Sequence, residues 1–373
     1  MTVIYYATTI DFGPGALGKL AHYCAQLGMS RPLIVTDTGL SRTDIPTRVQ
    51  SALSGLPHGV FDGINPNPLE VEVNAGVERY RDLRADGIVA VGGGSAIDGA
   101  KAIGLIVSNG GVIADYAARP KPERDIIHAL PPIIAVPTIA GSGSEISRGL
   151  GVGVGKSGGK ANILHPSLFP KVALCDPTLT ASVPKELAVI SALDALSHCI
   201  EAFISPVYNP PIAAIALDGA ARLYCNVERL HAGGDDPDVR SEIMMGAIQG
   251  GMAMPKGLGP AHGIGIPLDR LHLQHGAIIS RLLPKVIRWY GASAETSSKK
   301  ILSAFGRNES ENLADVLEAL NIRLGIDGGL RRLGVPDDIV DDISLQAATS
   351  PYSNICIRPA GREDYAELLM SAM

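Results

Sequence analysis

Short apolar segments alternate with helix-like segments in the first half of the chain, and this alternation restricts the fold more than any other feature. Residues 32–36, 87–91 and 132–136 are rich in β-branched residues and are followed by turn-forming residues, which is typical of buried parallel strands. Residues 71–84 and 95–107, between these runs, carry apolar residues at helical spacing. The pattern predicts an α/β domain with a doubly wound parallel sheet.

The second half of the chain has a different pattern, in which helical spacing dominates. Strand-like runs largely stop after about Pro184. Helix-like segments follow at residues 187–204, 211–225 and 241–254. Because 373 residues exceed what a single hydrophobic core usually supports, we expect two domains. The first is an α/β domain over residues 1–180, and the second is an all-α domain over residues 181–373.

Composition and charge argue against several classes of protein. No uninterrupted apolar run reaches the roughly 20 residues that cross a bilayer, and the first residues lack the pattern of a signal peptide. The formal charge of -6 is spread along the chain without a lysine- and arginine-rich run. The five cysteines have no CxxC spacing, which fits neither a disulfide framework nor a cysteine zinc site. We expect a soluble cytoplasmic protein that binds neither nucleic acid nor a membrane.

Two loops that follow predicted strands are suited to binding phosphate groups. Residues 92–95, with the sequence GGGS, follow the second strand and open the helix that contains Asp98 and Lys101. Glycines let the backbone approach an anion closely, and a helix N-terminus presents unpaired N–H groups to it. Residues 137–145 follow the next strand in the same manner. Because ligands bind at the carboxyl ends of such strands, these loops predict a nucleotide site. The alternative for GGGS is a tight strand-to-helix turn.

Three other glycine-containing segments have plainer interpretations. Residues 13–18 match GxGxxG but have no convincing strand before them and no acidic partner after them, so we favour a turn that enters a helix. Residues 155–157 imitate the end of a phosphate-binding P-loop, but Leu150 stands where its first glycine belongs. Residues 151–160 are predicted to form a surface loop or a hairpin.

Asp37 ends the first strong strand and bears on the choice of cofactor. A carboxylate at this position accepts hydrogen bonds from the hydroxyl groups of the adenosine ribose and repels a 2′-phosphate. Asp37 therefore favours NAD over NADP. The alternative is an ordinary turn or helix-capping aspartate.

Aspartate and histidine residues in the second half predict a metal site. Asp194 and His198 are spaced i,i+4, which places both on one face of a helix. His262 and His275 must come from separate segments, since Pro267 should break a helix between them. One carboxylate and three imidazoles suit Fe²⁺ or Zn²⁺ and leave a position for substrate. The alternatives are a hydrogen bond on the helix surface and structural histidines.

Together these motifs resemble those of the iron-containing (group III) alcohol dehydrogenase family. The matching segments occur in the family's order: VTD at 35–37, GGGSAIDGAK at 92–101, GSGSE at 141–145, Lys160, DPTLT at 176–180, DALSHCIEA at 194–202, KGLGPAHG at 256–263 and QHG at 274–276. The resemblance implies an N-terminal dinucleotide-binding domain, a helical metal-binding domain, a catalytic cleft between them, and a homodimer. It favours Fe²⁺, with Zn²⁺ as the alternative.

The resemblance also implies roles for individual residues. The metal ligands, which form the catalytic centre, are Asp194, His198, His262 and His275. The contacts to NAD are Asp37, Gly93, Gly94, Ser95, Asp98, Thr138, Lys160 and Leu179. Two positions depart from the family pattern: Ile266 stands where many members have a further histidine, and Thr138-Ile139 replaces paired threonines. These departures lie at the expected pocket, so the substrate is the least transferable inference.

The predicted reaction is the NAD(H)-dependent interconversion of a small alcohol and its aldehyde or ketone. The metal would lower the pKa of the alcohol hydroxyl, the nicotinamide would accept hydride, and the proton would leave through ribose, water or His272. A maleylacetate-reductase-like enzyme and a dehydroquinate-synthase-like lyase of the same fold remain alternatives. A binding protein without activity is disfavoured because all four ligands are present.

The substrate is predicted to be a short, non-aromatic carbonyl compound that carries a carboxylate, such as a semialdehyde. Met254 and Leu258 could form apolar walls. Arg148, Lys256 and Arg270 are candidates to bind the acid group, since a guanidinium pairs well with a carboxylate. The alternative is that all three cations are solvated surface residues.

Overall fold

The computed structural model describes residues 7–117, 122–155, 159–233 and 236–373. Contacts within the chain divide it into two compact units, an N-terminal unit that ends at Val183 and a helical unit that runs from Pro184 to Met373. The N-terminal unit combines strands and helices. In the described part of the helical unit, every regular segment is a helix. The fold class predicted from the sequence is confirmed.

The strands and α-helices of the N-terminal unit are bounded as follows. The strands are β1 (Thr9–Phe12), β2 (Pro32–Asp37), β3 (Gly59–Ile64), β4 (Gly87–Gly92), β5 (Ile133–Pro137), β6 (Gly149–Val154), β7 (Gly159–Leu164) and β8 (Val172–Cys175). The helices are α1 (Leu20–Gln26), α2 (Ile45–Ala52), α3 (Glu70–Leu83) and α4 (Gly94–Asn109). The three strands and two helices predicted from the sequence are all present, with ends shifted by one or two residues.

Six strands form one sheet in the order β1-β8-β5-β4-β2-β3, and every pairing in it is parallel. The chain passes from β2 to β3 on one side and then returns to β4 on the other side of β2. Such a reversal of direction opens a crevice at the carboxyl ends of the two strands. The ends of β2 and β4 are therefore where this sheet binds a ligand.

The apolar runs in the strands reflect burial on both faces of the sheet. Side chains alternate along a strand. Leu33, Ile88 and Ala135 pack in one apolar cluster with α3, α4 and the β6–β7 hairpin. Ile34 and Val89, which point the other way, pack in a second cluster with α1 and α2. A strand that is covered on both faces has no polar side, so it reads as a continuous apolar run.

The glycine-dense stretch around residue 155 belongs to an antiparallel hairpin of β6 and β7, as predicted. The hairpin is more than a surface feature, because Val152, Ala161 and Ile163 are buried in the core of the N-terminal unit. Residues 156–158, including most of the segment that imitates a P-loop, lie outside the described residues.

The backbone N–H groups of the GxGxxG segment at residues 13–18 bind a carboxylate of the protein itself. The expectation that no strand precedes it is wrong, since the short strand β1 does, and the segment then enters a 3-10 helix (Ala16–Lys19). The Asp176 carboxylate accepts the N–H groups of Gly15 at 3.0 Å and Leu17 at 3.3 Å. Because a protein carboxylate occupies these donors, the loop is a turn rather than a phosphate site.

The helical unit contains α5 (Lys185–Ile204), α6 (Pro210–His231), α7 (Pro237–Ala253), α8 (Pro260–Leu268), α9 (His275–Tyr290), α10 (Glu295–Ala304), α11 (Leu313–Arg323), α12 (Val340–Ala348) and α13 (Arg362–Ala372). Helix α5 packs against α6, α7 and α9. It is long and apolar enough to cross a membrane by length and composition alone, but 67% of the relevant window is buried inside the protein. We interpret α5 as the core helix of this unit.

The expected break at Pro267 is displaced by one residue. Pro267 lies inside α8, and the helix ends at the next residue, Leu268. A proline has no N–H to bond the carbonyl four residues earlier, so in the last turn it removes one hydrogen bond near the helix end and leaves the first turn intact. His262 and His275 still lie on separate helices, as predicted.

Candidate active site

The GGGS loop connects β4 to α4 in a conformation that only glycine adopts easily. Gly92 has a φ of 144°, and a Cβ there would lie 2.7 Å from the Cβ of Ala96. A Cβ at Gly94 would lie 2.6 Å from Ser142 Oγ. Among the described residues, no side chain caps the N-terminus of α4, so no side chain occupies its first N–H groups. This arrangement suits a phosphate group.

Asp37 lies beside this loop, at the carboxyl end of β2. Its Oδ1 accepts the N–H groups of Gly39 at 3.0 Å and Leu40 at 2.8 Å. Its Oδ2 points toward Gly92, where a Cβ would approach it to 2.8 Å. One carboxylate oxygen thus stabilises the turn, and the other faces the crevice at the carboxyl ends of β2 and β4. Turn capping and ribose recognition are compatible in this geometry.

Asp98 and Lys101, less than one turn apart on α4, hold the loop of residues 142–151. Asp98 accepts a hydrogen bond from Ser144 Oγ at 2.5 Å and another from the Gly151 N–H at 2.9 Å. The fully buried Lys101 ammonium donates to the carbonyl oxygens of Ser144 (2.7 Å), Ser147 (2.9 Å) and Gly149 (2.8 Å). Both carboxylate oxygens of Asp98, predicted to contact NAD, are therefore engaged with protein.

Charge in this cluster is strongly affected by burial. Burial lowers the pKa of Lys101 to about 8, although Asp98 and Glu145 raise it. Burial raises the pKa of Glu145 to about 7. The three carbonyl oxygens favour the charged form of Lys101, because only an ammonium has enough protons to donate to all three.

The remaining predicted NAD contacts have different environments. The Thr138 N–H donates to the Gly92 carbonyl at 3.1 Å, which ties the second loop to the end of β4. Ser95 Oγ accepts the Asn67 N–H at 3.2 Å. Leu179 is fully buried in the apolar cluster on the α1 and α2 face, so only its backbone is suited to a polar cofactor. Lys160 lies on β7, within the hairpin.

The four predicted metal ligands converge in the helical unit. Asp194 and His198 project from one face of α5, His262 comes from α8, and His275 begins α9. Asp194 Oδ1 lies 3.9 Å from His198 Nε2, 3.8 Å from His262 Nε2 and 3.9 Å from His275 Nε2. Ligand atoms of Asp194, His262 and His275 all lie within 4.8 Å of one another. One carboxylate oxygen thus sits among three imidazole nitrogens.

The protonation states and unmet hydrogen bonds of this cluster fit a divalent cation. Within the part of the chain that the structure describes, Asp194 Oδ1 and His262 Nε2 are buried without a hydrogen-bond partner, which is costly unless something else binds them. Burial lowers the pKa of His198 to about 4, so this imidazole is neutral. Burial disfavours the Asp194 anion, but the three histidines outweigh that effect and its pKa is lowered. An anionic carboxylate and a neutral imidazole are the forms that ligate metals.

Two carboxylates that the sequence did not single out contact these histidines. Glu201 Oε2 lies 2.6 Å from His262 Nδ1, and Asp269 Oδ1 lies 2.7 Å from His275 Nδ1. Glu201 belongs to the DALSHCIEA segment, three residues after His198, so helical spacing could have placed it on the same face. Asp269 carried no comparable signal.

The structure also corrects the predicted carboxylate-binding cations. Lys256 is buried and donates to the carbonyl oxygens of Ala202 at 2.8 Å, Phe203 at 3.4 Å and Ser205. It caps the C-terminus of α5, so its assignment as a substrate clamp is wrong. Arg270 pairs with Asp342 at 2.5 Å on the surface. Arg148, the third predicted cation, directly precedes β6 and is half-buried.

Two further predicted positions lie near the histidines. Ile266 follows His262 by one turn of α8 and is half-buried. His272 is exposed, with a left-handed φ of 56°. Neither residue identifies a substrate by itself.

A doubly wound sheet with an open helix N-terminus, together with an Asp-His₃ cluster, defines a class of protein: a metal-dependent oxidoreductase that uses a dinucleotide. Residues 7–177 match the iron-containing alcohol dehydrogenase family, and residues 188–373 match the C-terminal region of the Fe-containing alcohol dehydrogenase family. The chain belongs to the iron-containing alcohol dehydrogenase family.

Individual relatives agree with this assignment over the full chain. The 4-hydroxybutyrate dehydrogenase of Cupriavidus necator is 36% identical over 384 residues, covering 100% of both chains. The crystal structure of a 1,3-propanediol oxidoreductase matches with a TM-score of 0.94 and 28% identity, covering 100% of both chains. A sulfoacetaldehyde reductase from Bifidobacterium kashiwanohense, solved in complex with NAD⁺, matches with a TM-score of 0.90 and 26% identity, covering 100% and 98%.

The family assignment fixes the class of reaction. The protein is an NAD-dependent alcohol dehydrogenase or aldehyde reductase, as predicted from the sequence, and the family implies NAD and a divalent metal ion.

Proposed function

We propose that this protein interconverts a short ω-hydroxy acid and its semialdehyde, with Fe²⁺ bound by Asp194, His198, His262 and His275. We further propose that it works in the cytoplasm as a homodimer. The observation that carries the metal assignment is the position of Asp194 Oδ1, within 3.9 Å of three imidazole nitrogens. Zn²⁺ is the alternative ion, because the same nitrogen and oxygen ligands suit it.

The substrate class rests on similarity along the whole chain. The relative at 36% identity is named for 4-hydroxybutyrate, and oxidation of that compound at its hydroxyl carbon gives succinic semialdehyde. Both compounds are short, non-aromatic and carry one carboxylate. Arg148 is the proposed partner of that carboxylate, since a guanidinium forms paired hydrogen bonds with it.

We assign the cofactor to the crevice between β2 and β4. The open N-terminus of α4, with Gly93, Gly94 and Ser95, is suited to the pyrophosphate. Asp37 Oδ2 is suited to the adenosine ribose. Thr138 and the loop held by Asp98 and Lys101 form the neighbouring wall, with Lys160 and the backbone of Leu179 as further contacts.

The chemistry divides between the bound groups and the chain. When bound, the metal supplies Lewis acidity that lowers the pKa of an alcohol and polarises a carbonyl group. The chain contributes a buried carboxylate and three imidazoles on helices whose positions are fixed by packing. No side chain acts as a nucleophile. The exposed His272 would take up the hydroxyl proton, directly or through water.

The test combines metal analysis with cofactor turnover. We expect iron-loaded protein to oxidise NADH with succinic semialdehyde, and we expect His198→Ala and His262→Ala to lose bound metal and at least about 100-fold in kcat/KM. Their circular dichroism should stay unchanged. His231→Ala, at the end of α6 in the same unit, is the control and should retain metal and activity.

Two results would contradict the proposal. Full activity in a demonstrably metal-free preparation would refute the metal assignment. Turnover of a phosphorylated substrate without net consumption of NADH would instead favour a lyase that recycles its cofactor, since a dehydrogenase must change the NADH concentration.

A further inference from the structure

We propose that Glu201 and Asp269 are positioning residues that set which ring nitrogen of His262 and His275 carries a proton, and thereby prepare both imidazoles for the cation. The inference rests on the proposed metal site. It goes further by assigning a function to two carboxylates that are not ligands themselves. In a neutral imidazole one nitrogen donates and the other accepts, so a fixed partner at one nitrogen determines the state of the other.

Glu201 is placed to act only as an acceptor. It is 2% exposed, its Oε2 lies 2.6 Å from His262 Nδ1, and its Oε1 accepts the Ala261 N–H at 2.8 Å. As a carboxylate, Glu201 can only accept at Oε2, which places the proton of His262 on Nδ1. His262 Nε2, which has no hydrogen-bond partner among the described residues, then keeps its lone pair toward Asp194.

The chain makes room for this contact. A Cβ at Gly259 would lie 2.8 Å from Glu201 Oε1, so a larger residue there would displace the carboxylate or the start of α8. Gly259 directly precedes α8. The close approach of Glu201 to the N-terminus of this helix therefore depends on a glycine at that position.

Asp269 repeats the arrangement from a different element. It begins the short 3-10 helix (Asp269–Leu271) that follows α8, and its Oδ1 lies 2.7 Å from His275 Nδ1. The His275 side chain is 29% exposed, against 2% for His262. Because water reaches His275 and can replace a lost partner, we expect Asp269 to matter less than Glu201.

His198 provides an internal contrast. Its Nδ1 is buried and has no hydrogen-bond partner in the described residues, so none of their carboxylates determines its tautomer. The ring instead stacks on His262 with 4.7 Å between centroids. In the described residues, a carboxylate thus contacts two of the three imidazoles, those of His262 and His275.

The variant Glu201→Gln changes the charge at position 201 and the tautomer of His262, while the shape of the side chain stays nearly the same. In Glu201→Gln the amide oxygen can still accept the Ala261 N–H, which leaves the amide NH₂ facing His262 Nδ1. That NH₂ donates, so the imidazole proton must move to Nε2, where it blocks the lone pair needed for the cation. The reverse orientation of the amide would set NH₂ against the Ala261 N–H. Either way a nearly isosteric change is expected to impair metal binding.

The experiment measures Co²⁺ binding to full-length, chelator-treated protein by visible spectroscopy. We expect Glu201→Gln to weaken Co²⁺ binding about 100-fold and Asp269→Asn about 10-fold, the range found when such outer partners are lost. Glu186→Gln, an exposed position on the same helix, is the matched control and should bind as the unmodified protein does. The melting temperatures of the metal-free proteins should agree within a few degrees.

A second measurement examines the tautomer without metal. Nitrogen-15 spectra of the histidine rings, assigned with His262→Ala and His275→Ala, should report Nδ1–H for His262 and His275 in the unmodified metal-free protein. A proton on His262 Nε2 in that protein would overturn the inference even if Glu201→Gln failed to fold.

The outcomes distinguish this inference from the proposed function. If His262→Ala loses Co²⁺ while Glu201→Gln binds it with unchanged affinity, the positioning role is wrong and the ligand assignment stands. If His262→Ala binds Co²⁺ as tightly as the unmodified protein, the ligand assignment itself fails, and the positioning role fails with it.

Discussion

Gly276 packs so tightly against Ile190 that a methyl group on Gly276 would lie 2.4 Å from the Ile190 carbonyl oxygen and 3.1 Å from Asp194 Cβ. The first turn of α9 therefore lies directly against α5. This close approach brings His275, the preceding residue, to 3.9 Å from Asp194 Oδ1. A glycine that contacts backbone at this distance cannot gain a side chain unless one helix moves.

We predict that Gly276→Ala lowers both stability and metal affinity. Overpacking should reduce the free energy of unfolding by about 1–3 kcal/mol. Displacement of His275 should weaken Zn²⁺ or Co²⁺ binding by at least about tenfold. Denaturant unfolding and metal titration measure the two effects.

Gly263→Ala is the matched control for this change. Gly263 follows another ligand, His262, but its nearest neighbours would lie 3.6 Å from an added Cβ, an ordinary contact distance. If Gly276→Ala and Gly263→Ala bind metal equally well, the close contact between α9 and α5 does not position His275.

We predict a preference for NADH over NADPH that depends on Asp37. A 2′-phosphate beside the Asp37 carboxylate would bring two negative charges together. Asp37→Gly should narrow the ratio of the kcat/KM values for the two cofactors by about tenfold or more, since 1.4 kcal/mol corresponds to a factor of ten. Asp37→Asn keeps an oxygen for the N–H groups of Gly39 and Leu40, so it separates loss of charge from loss of the turn. Equal kcat/KM values in the unmodified enzyme would refute this role.

The raised pKa of Glu145 predicts that the free energy of unfolding depends on pH. Burial raises its pKa from 4.5 to about 7, while Lys101 lowers it and Asp98 raises it. A carboxyl whose pKa is raised on folding binds its proton more tightly in the folded state. Its stabilising contribution is therefore complete below pH 4.5 and is lost as the pH rises through about 7.

The expected result is a divergence between the metal-free protein and its Glu145→Gln variant. From pH 5 to pH 8 the unmodified protein should lose roughly 2–3 kcal/mol of unfolding free energy relative to the variant. Urea unfolding at unit pH intervals measures this difference. Parallel pH profiles for the two proteins would show that Glu145 titrates near its ordinary pKa.

The sheet could be predicted from the sequence because its central strands are buried on both faces. Residues 87–91 read as a strand, and β4 extends from Gly87 to Gly92. The sequence does not predict strand β1, because this strand has only four residues, Thr9–Phe12, and none is fully buried. A short edge strand has too little apolar surface to produce a pattern.

The metal cluster could be predicted only in part from spacing. Helical periodicity brings Asp194 and His198 together, whereas no spacing rule places His262 and His275 beside them. Their grouping with Asp194 and His198 depended on the type of ligand and on the family resemblance. The function of Lys256 depends on carbonyl groups that lie 51–54 residues earlier in the chain. Such a contact leaves no local pattern in the sequence, so the sequence alone does not distinguish this ammonium from one that binds substrate.

The final prediction concerns the carboxylate of the substrate. Arg148 directly follows Ser147, whose carbonyl is held by Lys101 at 2.9 Å, and its own carbonyl accepts the His165 N–H at 3.0 Å. The backbone that carries this half-buried guanidinium is therefore fixed on both sides.

We expect the unmodified enzyme to prefer succinic semialdehyde over butanal by about 100-fold in kcat/KM, as a charge-assisted pair of hydrogen bonds implies. Arg148→Ala should lose most of this preference while it retains activity on butanal. Arg148→Lys should retain only part of the preference for succinic semialdehyde, because an ammonium lacks the paired donors of a guanidinium. Arg270→Ala, which removes a surface ion pair with Asp342, should leave the preference unchanged. If butanal is the better substrate of the unmodified enzyme, or if Arg148→Ala impairs both aldehydes equally, Arg148 does not bind the carboxylate, although the metal and NAD assignments could still hold.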